Sequence, residues 1–339
     1  MQRVDDEGRA IPLVCLGGVV LSWGLVPVFI RYFTGFLDAW TVNVVRYSAG
    51  ALFWLPYVVW FHRRLKTHGG PRAGRSVWLA ALVPTAVNAV GQTGYALSPY
   101  FVSASVIGFG LRMSFVFTLL FGFVFIAEER RLGRRPVFWL GAALCLGGVV
   151  LMFLDSLLEG GRASLIGMLL LVGTTFAWGG YAVSVRTWMA PYPIRLSFGV
   201  ISLYTTAVLV VLALVMPEIP AHPVADASPA DGLLWRARVL GRQSPSLWVA
   251  LVGSGLLDIA FGHVMYYRGI HRFGPVVAGG VILVTPLVTY SAASLTLGET
   301  MAWTQWLGGA LVLGGGGLLL VARSQLERAL ASEASAQPS

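Results

Sequence analysis

Four ionisable side chains sit well inside long apolar stretches of this sequence: Arg46, Arg112, Asp258 and His263. A charge at the centre of a membrane-spanning helix costs about 2.5–3.5 kcal/mol on insertion scales, so such residues face protein or water and mark routes for solutes or protons. Arg112 is the sharpest of the four. Ser105, Gly108, Arg112 and Phe115 follow one another at the spacing of a single helical face. The guanidinium fork matches a carboxylate or a phosphate, so one reading is an anion-binding arginine. The other is a structural arginine paired with Asp258 or with backbone carbonyls. Asp258 reads as a proton-coupling group or as the counter-ion of Arg112, and the counter-ion is the favoured expectation. His263 titrates near neutral pH and reads either as a proton-coupling group or as a hydrogen-bonded packing histidine. Asn88, Gln92 and Tyr95 form a polar stripe at helical spacing, which lines a cavity or joins helices; the cavity is the favoured expectation. Trp23, Trp178 and Tyr181 could gate or stack on a substrate, although aromatic side chains also simply pack or anchor at interfaces.

Other chemistries find no footing. There is no nucleophile beside a base, and Cys15 and Cys145 offer neither a disulfide framework nor a metal-ligand spacing. Gly314 to Gly317 are followed by no Lys-Ser/Thr and form no phosphate loop; close helix packing is expected there. No enzyme activity, cofactor or metal is therefore expected. The net charge of +9 is spread over short loops rather than gathered in a basic domain, which excludes a nucleic-acid footprint.

The elements that must carry these residues are membrane helices. Of the 339 residues 56% are hydrophobic and only 12% charged, against about a quarter charged in a soluble domain. Ten apolar runs approach the ~20 residues needed to cross a bilayer: 11–31, 39–60, 76–97, 102–126, 136–154, 164–187, 194–216, 246–267, 275–297 and 303–322. Lipid cannot hydrogen-bond a backbone, so each is expected to be helical. The first run is full length with no cleavage site after it, and is expected to be retained. Of the 24 lysines and arginines, 17 fall on the side of the N-terminus, five on the other, and Arg46 and Arg112 within spans. The positive-inside bias then makes both termini cytoplasmic. The longest connection, 217–245, lies on the outer side; its stretch 232–240 mixes apolar and basic residues and reads as a membrane-surface segment or a mobile loop. The polar tail 324–339 is expected to be frayed or disordered.

The sequence repeats itself. Residues 139–148, WLGAALCLGG, return as 306–315, WLGGALVLGG. Trp23-Gly24 returns as Trp178-Gly179, Arg31 as Arg186, and Glu128 matches Glu299. Two halves, 1–155 and 164–322, thus carry five spans each. An odd number turns the second half upside down relative to the first, and inverted repeats of this kind are typical of secondary transporters with a midplane site between the halves. The fold class is all-α integral membrane, ten helices in two inverted five-helix repeats.

On these residues the chain resembles the EamA-type branch of the drug/metabolite transporter superfamily. The matching pieces are Trp23-Gly24, Arg46-Tyr47, Tyr95-Ala96-Leu97, Ser103-Ala104-Ser105, Glu128, Gly141 and Gly147-Gly148. In the second half they are Trp178-Gly179, Thr285-Pro286-Leu287, Gly298-Glu299 and the 306–315 phrase. The resemblance spans about 11–322. It implies export or exchange of small metabolites, often amino acids or related compounds, through a cavity between the first, third, fourth, sixth, eighth and ninth helices. The family often has arginine at the position of Arg46, which is read as structural. The chain departs from the pattern in its fourth span, where Phe115-Val116-Phe117-Thr118 lacks the usual proline and Arg112 replaces a small polar residue. A straighter helix and a more cationic cavity face are expected.

The leading reading is a secondary transporter of a small polar metabolite such as an amino acid or organic acid, in the inner or plasma membrane. Its expected partners are the bilayer, the small-molecule substrate and, as a candidate coupling ion, the proton. Alternatives are a flippase-like carrier of an amphipathic lipid or sugar conjugate, which needs a lateral opening, and a non-transporting receptor or assembly partner, which needs no polar cavity.

Overall fold

The structure, a computed structural model, describes residues 2–68, 76–159, 162–216, 236 and 239–336, and their regular secondary structure is entirely helical. The first half comprises α1 (Gln2–Phe33), α2 (Ala39–His68), α3 (Val77–Ala80), α4 (Leu82–Leu97), α5 (Ala104–Gly110), α6 (Met113–Phe125) and α7 (Pro136–Leu158). The second half has α8 (Arg162–Trp188), α9 (Ile194–Val215) and α10 (Pro245–Gly255). A π-helical turn, Leu256–Gly262, leads into α11 (His263–Ile282), followed by α12 (Thr285–Leu297) and α13 (Trp303–Ala336). Among the described residues nine helical segments have the length and hydropathy to cross a membrane. The expected third span is helical as well but is divided at Ala81. Pro84 has no N–H for the Ala80 carbonyl and its ring crowds that group.

The repeated phrases pack against each other. Gly141 of α7 faces Gly315 of α13, and Gly148 faces Gly308. The pairing runs antiparallel and exchanges equivalent positions of the two phrases, as a two-fold axis in the membrane plane requires. Backbone approaches backbone here. A Cβ on Gly148 would lie 2.5 Å from the Gly308 carbonyl oxygen, and one on Gly141 would lie 2.8 Å from that of Gly315. Cys145 sits between the glycine pairs, its thiol donating to the Val312 carbonyl at 3.4 Å. Small residues give membrane helices this close van der Waals contact, since lipid supplies no hydrophobic drive between them.

Trp23-Gly24 and Trp178-Gly179 repeat the same logic. Gly24 of α1 lies against Val288 of α12, and Gly179 of α8 against Phe117 of α6. Each half thus presses its first helix onto the other half's fourth. Val288 and Phe117 are 171 positions apart, the offset at which Glu128 and Glu299 match in the sequence.

Several expectations change. The fourth span is not straight despite its missing proline: it breaks between α5 and α6, where Arg112, Ser114 and Phe115 bond back three residues rather than four. Ser105, Gly108, Arg112 and Phe115 therefore do not share one face. Gly108 packs on Thr289 and Ser105 bonds Glu299, while Arg112 and Phe115 turn to the interior. The expected connection between the eighth and ninth spans is helical within α11, yet the chain reverses there. Gly262 packs against Trp23 and Gly269 against Leu16, whereas Val288, further along, returns to Gly24. The C-terminal tail is helical to Ala336 and docked, with Leu326 buried and Arg131 bonded to Glu333 at 2.6 Å. Most of 217–245 lies outside the described residues. Near its end Arg236 does not rest on the surface; it is buried, 3.4 Å from Asp38, and donates to the carbonyls of Ala213 and Met216. Asp38 in turn accepts from the Trp40 and Thr41 amides that open α2.

The α7–α13 contact predicts a position-specific response. Gly148→Ala lowers unfolding stability by about 1–3 kcal/mol through overpacking. Gly147→Ala, whose Cβ would meet nothing within 4 Å, leaves it unchanged or slightly higher. Reversible unfolding in mixed micelles compares the two, and equal stability of both variants would contradict the packing.

Candidate functional site

A cavity of about 440 Å³ opens between the two halves. Its walls come from both first helices (Trp23, Trp178, Tyr181), from α4 (Asn88, Gln92, Tyr95), from the α5–α6 break (Arg112, Phe115) and from the π-turn and α11 (Asp258, His263, Tyr266). It extends toward one end of the molecule, where Glu129, Arg186 and Arg323 join the lining. That is the end at which α1 begins and α8 finishes.

At the opposite end, where the cavity has no lining residue among those described, a carboxylate caps a helix. Glu299 accepts hydrogen bonds from the Ala104 and Ser105 amides at 2.8 and 2.9 Å and from the Ser105 hydroxyl at 2.7 Å. A carboxylate at this position satisfies the orphan amides and the positive end of α5. Gly298 allows it: its φ of 66° is left-handed, a conformation glycine adopts without strain, and it turns the chain back after α12. Arg31 reaches the same carboxylate at 3.9 Å and donates to the Pro99 carbonyl.

At the open end Glu129 is the paired acid among the described side chains. It is buried and holds Arg186 at 2.5 Å and Arg323 at 2.6 Å. The side chain of Glu128, matched to Glu299 in the sequence, lies outside the described side chains.

The charged residues pair differently from the expectation. Asp258 bonds Arg46 at 2.8 Å, not Arg112. Arg46 is 1% exposed and also donates from Nε to Ser254 at 3.1 Å. The favoured Arg112–Asp258 counter-ion pair is thus replaced by Arg46–Asp258. The reason lies in the π-turn, which carries Asp258 one helical turn beyond Ser254 on the wall facing α2. Arg112 is left without an acidic partner among the described residues. Its Nη1 donates to the Ile282 carbonyl at 3.3 Å, and its Nε has no partner there. That carbonyl is free because Pro286, four residues on, has no N–H to give it; Thr285 Oγ1 donates to it at 2.8 Å as well.

The remaining candidates fall into two groups. Asn88 is buried and committed, its amide nitrogen 3.2 Å from the Tyr47 hydroxyl and 3.1 Å from Thr205 Oγ1. His263 places Nδ1 3.3 Å from the Asp258 carbonyl oxygen, a bond formed when Nδ1 carries the proton. Its ring stacks on Phe198 at 4.4 Å and meets Trp23 edge-on at 5.3 Å. Trp23 also packs against Tyr266 at 5.2 Å, and Tyr95 against Trp178 at 5.0 Å. The cavity therefore has two aromatic walls, with Arg112 on the wall formed by the α5–α6 break. Phe198, Tyr266 and Ser254 were not singled out by the sequence; Ser254 precedes Asp258 by one turn and was the available signal.

Comparisons with known proteins agree with this architecture. A family model described as "EamA-like transporter family" matches residues 10–154 and again 165–321. A solved structure described only as "Crystal structure of protein" aligns over 93% of this chain and 99% of its own, with a TM-score of 0.57 and 15% identity, a likeness of fold. No curated protein matches the chain.

Breaking the buried pair separates structural from free charges. Asp258→Ala leaves Arg46 buried and uncompensated, and costs about 3–5 kcal/mol. The double variant Arg46→Met/Asp258→Ala costs less than the sum of its parts, and Arg112→Met costs less than Asp258→Ala. Unfolding midpoints test this; additive losses would show that the pair does not act as a unit.

Proposed function

We propose a transport mechanism from one premise: the chain belongs to the EamA-like transporter family. It is a multi-pass membrane protein of a family of transporters rather than enzymes. Our reading is that it carries a small metabolite bearing a carboxylate, such as an amino acid or organic acid, down its own gradient or coupled to protons. The observation that carries this reading is the charge state of the cavity. With Asp258 neutralised by Arg46, Arg112 is the cation on the cavity wall without an acidic partner among the described residues. A cation at membrane depth is costly unless something compensates it, and a substrate carboxylate would do so through a charge-assisted, fork-shaped contact. The aromatic walls suit an apolar substrate body, and the volume suits a small metabolite.

Alternating access follows from the inverted repeats. In this conformation Glu299 caps α5 at one end while the cavity reaches the other. Since that end carries the excess of arginine, we assign it to the cytoplasm of the inner or plasma membrane, with both termini there. The conformation is then inward-facing. Rocking of one half on the α7–α13 contact would open the Glu299 end and close the Glu129 end.

The test is thermal stabilisation of purified protein by amino acids and organic acids, with their methyl esters as controls. Free carboxylates stabilise the wild type and the esters do not. Arg112→Ala weakens carboxylate binding about 10–100-fold, as expected for loss of a hydrogen bond between charges. Unchanged affinity in that variant, or equal stabilisation by the esters, would overturn the anion-site reading.

A further inference from the structure

A second recess lies outside the central cavity, between α2, α9 and α11 near the same arginine-rich end. It is lined by Tyr57, Arg195, Val264, Tyr267 and Arg268, with Pro193 and Ile194 at the start of α9. Arg195 and Arg268 are exposed and have no acidic partner among the described residues. They approach the recess from different helices, and the two tyrosines stand beside them. The start of α9 adds amides that no side chain caps.

The recess continues into a column along the membrane normal. One turn deeper than Tyr57 and Val264 come Phe53 and Phe261, half-exposed and in edge contact at 4.8 Å. Leu257, a further turn toward the bilayer centre, is exposed as well. The order from the interface inward is therefore two arginines, two tyrosines, then an apolar face open to lipid. A soluble phosphate would use only the first layer. A phospholipid uses all of them, with an anionic head at the guanidinium groups, glycerol oxygens near the phenols and an acyl chain along Phe261 and Leu257. Basic pockets between spanning helices on the cytoplasmic side take acidic head groups for the same electrostatic reason.

We propose that this recess is a binding site for an anionic phospholipid of the inner leaflet. Tyr267 lines both the recess and the central cavity. A lipid seated there buttresses the wall on which His263 and Tyr266 stand, and so supports the cavity from outside without entering it.

The experiment measures lipid retention on the full chain in detergent by native mass spectrometry. Dioleoyl phosphatidylglycerol is compared with dioleoyl phosphatidylcholine, and thermal stability is recorded in parallel. The wild type retains the glycerol lipid on the order of tenfold more strongly, as two arginines near the membrane surface would give. Arg195→Gln/Arg268→Gln abolishes the preference, whereas Arg130→Gln/Arg134→Gln, the same charge change elsewhere at that end, keeps it. Gel filtration confirms that each variant is folded, and Arg268→Lys retains part of the preference. Inorganic phosphate and glycerol phosphate serve as head-group probes without chains. No preference between the lipids, or equal loss in both double variants, would overturn the proposal. Competition by inorganic phosphate as strong as that by the lipid would replace it with a soluble-anion site. These outcomes are independent of whether the central cavity carries a carboxylate.

Discussion

A charge inside a membrane protein cannot be left to lipid, and the arrangement of this bundle follows from how each one is compensated. Asp258 is held by Arg46, Asp38 by Arg236, Glu129 by Arg186 and Arg323. Glu299 is held by two amides and a hydroxyl at the start of α5. Every one of these contacts joins segments distant in sequence, so each ties separate parts of the bundle together. Attraction in a low-dielectric interior offsets the loss of hydration only where geometry and further hydrogen bonds are good, and the second bonds of Arg46 to Ser254 and of Arg236 to two carbonyls supply that. Arg112 stands apart because its one acceptor among the described residues is a carbonyl freed by Pro286.

The ionic ties sit at the ends and on the walls of the cavity, whereas the contacts between the halves deep in the bundle are made by glycine. Gly141, Gly148, Gly308 and Gly315 bring α7 and α13 backbone to backbone, and Gly24 and Gly179 seat each first helix on the opposite half. The two kinds of contact suit different tasks. The α7–α13 glycine contacts set backbone against backbone, so they need no long charged side chain to find a new partner when helices tilt. Ionic contacts at the two ends differ in their partners, Glu129 holding two arginines and Glu299 the amides that open α5.

Broken helices carry the polar machinery. The α5–α6 break presents Arg112, the turn before Pro286 presents the Ile282 carbonyl, and the π-turn presents Asp258. Irregular backbone at membrane depth is tolerated where it lines a cavity or is buried in protein, and all three irregularities border the same space. Of the three, only the turn at Pro286 announces itself by a proline.

What the sequence determined by itself is set by single helices and by internal repetition. Apolar length and the scarcity of charge fixed the membrane class. The repeated phrase and the paired Trp-Gly positions fixed two inverted halves, and the helical spacing of Asn88, Gln92 and Tyr95 placed them on one face. Tertiary structure decided which charge meets which. Arg46 and Asp258 lie 212 positions apart, and no periodicity records a partner on another helix. It also decided the break at Arg112, because no proline marks it, and the docking of the tail, because Leu326 and Glu333 gain their partners only once the bundle has formed. Periodicity reports what one helix offers to its surroundings; the neighbour that takes up the offer is chosen by packing.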